Sequence, residues 1–156
     1  MSRTVVSRAE SGASLVEFAV FAPLFAFLLV GLIEIGRFMF FSILAANAAR
    51  AGAQYGAQDL TTAYDTNGIT SAAAQDGQNL SNWTAPGGGI TVQQLCAVNG
   101  AAPAPCATSG NAGPPQNTIY YVRVQVTGVF QTLLNYPGIP NNVPISGGSM
   151  MRVITQ

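Results

Sequence analysis

Histidine and lysine are absent from this 156-residue chain, cysteine occurs only twice, and charged residues make up 8% of it. An ordinary soluble domain carries about 25% charge. Without lysine there is no P-loop or Schiff-base lysine, and without histidine there is no Ser-His-Asp triad and no imidazole metal ligand. The six basic residues are all arginines, balanced by six acids to a formal net charge of zero. No basic tract exists, which argues against nucleic acid as a partner. Beyond the N-terminal apolar region the only acids are Asp59, Asp65 and Asp76. An exported hydrolase built on a carboxylate pair therefore has little to work with. Asp65 to Gly68 has too few acids around it for a calcium loop. The expectation is a protein with no catalytic residues, no cofactor and no metal.

What the chain does have is a long apolar run with carboxylates at both ends. From Phe18 to Ile33 there are sixteen consecutive residues without a charge, bracketed by Glu17 and Glu34. On a helix these two carboxylates stand about 26 Å apart, close to the roughly 30 Å of a bilayer's hydrocarbon core. Arg37 lies three residues after Glu34 and can pair with it on one helix face. Apolar character resumes over Phe38 to Ala46, so Glu34 either marks the outer interface or is an internally paired charge. The run is longer than the apolar region of a secretory signal, and no small-residue cleavage site follows it. Arg3 and Arg8 precede it. The positive-inside rule then puts the N-terminus in the cytoplasm and exports the rest as the soluble part of a single-pass protein.

The helix is expected to outlast the bilayer and to cover residues 13–58. Pro23 should bend it. Ala45, Ala49, Ala53 and Ala57 recur every four residues, with Gly52 and Gly56 between them, a face that permits close packing. Asn47, Arg50, Gln54 and Gln58 form a polar stripe beside it.

Residues 59–156 read as a small exported α+β domain. Residues 59–68 read as a loop with an Asn-Gly turn at Asn67 and Gly68, followed by a short helix over 69–80 with Ile69, Ala73 and Leu80 facing one way. Strands are expected at 90–97, 119–130 and 150–155. The second alternates best, with Tyr120, Val122, Val124 and Val126 on one side. An antiparallel sheet of these strands laid on the second half of the long helix would bury both apolar faces. The Gly/Pro-rich stretches 85–89 and 99–118 read as loops. Phe130, Leu133, Leu134 and Tyr136, in the stretch 129–148, read as core closure, with a partner-facing patch as the alternative. Two cysteines, Cys96 and Cys106, in an exported domain without histidine predict a disulfide rather than a metal site. Two glycosylation sequons, at Asn79 and Asn82, matter only in a glycosylating host.

Gly12, Glu17 and the apolar run behind a short basic leader resemble a prepilin. In prepilins a membrane peptidase cuts after the glycine, and the fifth residue of the mature chain is a glutamate. The resemblance implies a leader of residues 1–12 and a cut between Gly12 and Ala13. It makes Glu17 an assembly residue that pairs with a new amine on Ala13. The segment GASLVEFAVFAPLFAFLLVGLIEIGRFMF is similar throughout to the N-terminus of TadE-like pseudopilins of the tight-adherence (Tad) pilus. Glu17, Phe18, Ala19, Pro23, Gly31, Glu34, Gly36 and Arg37 fall on the family pattern. Residues 121–130 and 149–154 loosely resemble the late strands of those proteins.

The resemblance implies a non-enzymatic pilus subunit whose partners are a prepilin peptidase, other pilin or pseudopilin subunits and the inner membrane. After assembly it would lie in a pilus or at the cell surface. The alternative is a membrane-anchored exported binding or adhesion domain that never polymerises. Cleavage separates the two, because a plain anchor keeps its first twelve residues.

Overall fold

The computed structural model of the chain describes residues 10–78, 80, 89–106, 117–133 and 140–155. Its fold is α+β. The chain divides into two compact units, Met1–Arg37 and Phe38–Gln156. One helix, α1 (Glu10–Gly56), contributes to both and includes Pro23. Its sequence is dominated by Ala, Leu and Phe, with no run of β-branched residues to oppose the helix.

In the second unit α1 is followed by two short helices, α2 (Leu60–Tyr64) and α3 (Thr66–Asp76). Four strands then form an antiparallel sheet in the order β2-β1-β3-β4. They are β1 (Gly89–Val98), β2 (Ala104–Pro105), β3 (Thr118–Gln131) and β4 (Asn142–Arg152). The period-two pattern of β3 does what alternation predicts. Val122, Val124, Val126 and Phe130 are buried, while Arg123 and Gln125 between them are exposed. Burying each of these valines contributes about 1.5–3 kcal/mol.

The small residues of α1 make the core possible. Ala45, Ala48, Ala49 and Ala53 are fully or almost fully buried, in one cluster with Ile69 and Ala73 of α3 and the valines of β3. A methyl added at Gly52 would lie 3.0 Å from Ala73 Cβ and 3.3 Å from Val124 Cγ1, so α1 meets both α3 and the sheet there. Gly147 of β4 lies still closer. A Cβ on it would run into the backbone of Ala45 and Ala46. Ile154 N donates to Ala57 O, one residue past the end of α1, at 3.0 Å.

Several expectations need correction. Asn67 and Gly68 are not a turn but the first residues of α3. Asp65 caps that helix, its carboxylate accepting from Gly68 N at 3.0 Å. Likewise residues 60–64 are helical, because Asp59 and Thr62 form a reciprocal capping box. The short helix ends at Asp76, and Leu80 is buried just beyond it.

The last strand is not 150–155 but 142–152, and residues 153–155 lie past it. Pro144 and the Gly147-Gly148 pair hid its first half. β4 is an edge strand, where a proline is tolerated, and Gly147 is required by the approach of α1. Within the stretch 99–118, residues 99–106 form a turn and a short strand. Asn99 and Gly100 take positive φ angles of 52° and 79°, making a tight turn closed by Ala101 N to Val98 O at 3.0 Å. The chain then returns as β2, and Cys96 is disulfide-bonded to Cys106. Closing a loop this short stabilises a fold by roughly 2.5–3 kcal/mol in the chain-entropy model. Phe130 joins the core, but Leu133 is 62% exposed, against its assignment to core closure. Leu134, Tyr136, residues 1–9 and 85–88, and both sequon asparagines lie outside the described residues.

Candidate assembly helix and processing site

Between Phe18 and Ile33, α1 has no polar face. Phe18, Phe21, Leu24, Phe27 and Ile33 are all exposed, at positions that point in every direction around the axis. A helix apolar all round needs an apolar environment. By length and composition α1 is able to cross a membrane. Leu24, Phe27, Leu28, Leu32 and Ile35 outline a shallow apolar groove along it, with Gly31, which has no side chain, at its floor.

The residues singled out in the sequence lie at different levels of this helix. Gly12 is exposed in its first turn, and a Cβ built there meets nothing within 4 Å. Ala13 follows it inside the same turn. Glu17 is one turn further on, and its side chain is exposed. Phe18 is exposed beside it, and Pro23 lies a turn and a half beyond.

Glu34 behaves differently. It is only 8% exposed, the one buried charged residue among those described. Arg37 Nη1 donates to Glu34 Oε2 at 3.1 Å, so the carboxylate and guanidinium offset each other on one face of the helix. An ionised carboxylate held out of water needs such a partner.

Residues 12–54 match the TadE-like protein family. The TadE-like segment begins at Gly12, takes in Glu17, Pro23, Glu34 and Arg37, and ends two residues before α1 does. It is therefore a one-helix segment, and the sheet and the short helices lie outside it. No curated protein and no solved structure matches the chain.

Sequence reasoning missed three features around the TadE-like helix. The first is an aromatic cluster. Phe38 meets Phe130 edge-on with ring centroids 5.6 Å apart, and Phe41 lies 5.9 Å from the same ring. The two helical phenylalanines are three apart, a spacing that signals one face but not what covers it. The second is the burial of Glu34, which no local pattern encodes. The third is the hydrogen bond from Tyr55 Oη to Asp65 Oδ2 at 2.9 Å, which ties the end of α1 to the cap of α3.

Proposed function

We propose that the chain is a pilin-like structural subunit of a Tad-type pilus, made as a precursor and assembled through α1. The observation that carries this reading is the TadE-like match over residues 12–54, which falls on a helix apolar on every side from Phe18 to Ile33 and starts at the glycine expected to precede the cut. In this reading residues 1–12 are a leader that stays in the cytoplasm. A prepilin peptidase of the inner membrane cuts the Gly12–Ala13 bond. Residues 13–58 first anchor the subunit and then enter the filament, and residues 59–156 form the exported part. Nothing in the reading calls for an enzymatic role.

The position of the cut in the first turn of α1 adds a physical requirement. A peptidase binds its substrate extended, so that turn must open before cleavage. Glycine favours this, since it costs a helix about 1 kcal/mol relative to alanine. Replacing it with a branched residue both stiffens the turn and fills the space the enzyme needs.

The test is Gly12→Val in a peptidase-competent host, read by N-terminal sequencing and intact mass. Wild type should start at Ala13, and the variant should keep its leader. A Cβ at this position meets no neighbour, so lost processing cannot be ascribed to misfolding. A wild-type chain that still begins at Met1 in its own membrane sinks the pilin reading and leaves the non-polymerising anchor.

A further inference from the structure

The exposed face of α1 changes character within the second unit. Met39, Phe40 and Ile43 are all more than half exposed. At 100° per residue they span an arc of about 100°. The next residues on that same arc are Asn47, Arg50 and Gln54, which are exposed as well. One strip of helix surface thus passes from wholly apolar to wholly polar between Ile43 and Asn47. Leu133 is 62% exposed at the same end of the unit, three residues after Phe130, whose ring packs on Phe38. Elsewhere on this unit the exposed large apolar side chains among the described residues are Leu60, Tyr64, Met150 and Ile154.

The length of the apolar run says what covers this patch. The sixteen residues between Glu17 and Glu34 supply about 24 Å of helix, short of a hydrocarbon core of about 30 Å by about four residues. With Glu17 at the inner edge, the outer edge falls at Arg37. Glu34 then sits one turn inside hydrocarbon, where its 3.1 Å pairing with Arg37 makes it tolerable. Phe38 to Ile43 occupy the next turn and a half, in the headgroup layer, and the polar strip starting at Asn47 stands in water. A protein partner would not require the strip to turn polar at this level. A bilayer surface does.

We propose that lipid is a partner of the globular unit as well as of its anchor: Met39, Phe40, Ile43 and Leu133 form a foot that rests in the interfacial layer of the membrane. This rests on the membrane half of the proposed function. The foot fixes how deep α1 sits before assembly, and the subunit must give up this contact to leave the bilayer.

Tryptophan depth measurements on the full-length chain test the proposal. The single native tryptophan is replaced (Trp83→Phe), and probes are introduced one at a time as Phe27→Trp, Phe40→Trp and Asn47→Trp. Each protein is reconstituted in phosphatidylcholine vesicles carrying bromine either near the headgroup or deep in the acyl chains. The expected pattern has three parts: deep lipid quenches the Phe27→Trp probe most, shallow lipid quenches the Phe40→Trp probe several-fold more than deep lipid does, and neither reaches the Asn47→Trp probe. An unquenched Phe40→Trp probe beside a quenched Phe27→Trp probe overturns the foot and spares the anchor. If no lipid quenches the Phe27→Trp probe, the membrane reading itself fails. If quenching of the Phe40→Trp probe grows only as protein is diluted in lipid, a second copy of the chain covers the face and the proposal is wrong.

Discussion

Asp59 and Asp65 decide where α2 and α3 begin. Each carboxylate accepts a backbone amide three residues ahead, Thr62 N at 2.8 Å and Gly68 N at 3.0 Å, and so supplies an acceptor the helix start otherwise lacks. These hydrogen bonds favour the ionised form. The Asp59 carboxyl is held below its ordinary value of 3.8, chiefly by the Thr62 amide. Asp65 is lowered too, by the Gly68 amide first and the Tyr55 hydroxyl second. A depressed native value means stability that is fully present above the ordinary carboxylate range and lost as pH falls through the lowered one. Acid should therefore loosen α2 and α3 below about pH 4. Far-UV circular dichroism and thermal melts across that range measure it. Asp65→Asn keeps a side-chain acceptor but not the charge, so it should flatten the acid transition while costing little at neutral pH. A double variant, Asp59→Asn with Asp65→Asn, that still melts with the wild-type pH dependence would show that the caps are not its source.

At the level of elements, backbone packing against α1 sets the fold, and Gly147 is where it is tightest. A Cβ there meets main-chain atoms of Ala45 and Ala46, which cannot rotate away. Gly147→Ala should push β4 off the helix and destabilise the second unit by about 1–3 kcal/mol, the usual cost of overpacking. At Gly148, whose Cβ would find only Val124 O at 3.9 Å, the same change should be mild. Chemical denaturation of the two variants compares them, and equal loss would mean that strand propensity and not helix contact is at stake.

This geometry also explains what the sequence made legible. The α1 helix could be read from its long uncharged apolar run, and β3 from a period of 2 carried by its own side chains. The first half of β4 could not, since its Gly-Gly pair and Pro144 are turn signals out of context. Only the neighbouring helix and the edge position make them strand residues. The same holds at Asn67-Gly68, a turn signal that a capping aspartate two residues earlier converts into a helix start. Of the candidate site, the Glu34–Arg37 pair could be read from its i,i+3 spacing, whereas Gly12 and Glu17 are singled out by the resemblance to prepilins. The burial of Glu34 depends on packing that spacing does not record.

For the molecule as a whole, the proposed function raises the question of how a helix anchored in lipid would leave it for a filament. Glu17 is exposed on α1 next to Phe18, close to the expected new N-terminus. Cleavage after Gly12 would create an ammonium group on Ala13 near neutral pH. Stacked helices can place one subunit's ammonium beside another's Glu17, and the attraction strengthens as water is excluded. Unlike Glu34, which has Arg37 within its own helix, Glu17 would find its counter-charge in a neighbouring subunit. Glu17→Gln and Glu17→Val should therefore leave insertion intact or improved, since removing a carboxylate lowers the cost of transfer into lipid. Processing should largely survive, because Gly12 is untouched. Assembly should fall sharply, because burying one charge without its partner costs about 3–5 kcal/mol. Glu17→Asp retains the charge at shorter reach and should be milder. Co-purification with other pilus subunits, compared across the three variants after equal membrane insertion is verified, reads the difference. Equal assembly in all three would reduce Glu17 to a marker of the membrane interface.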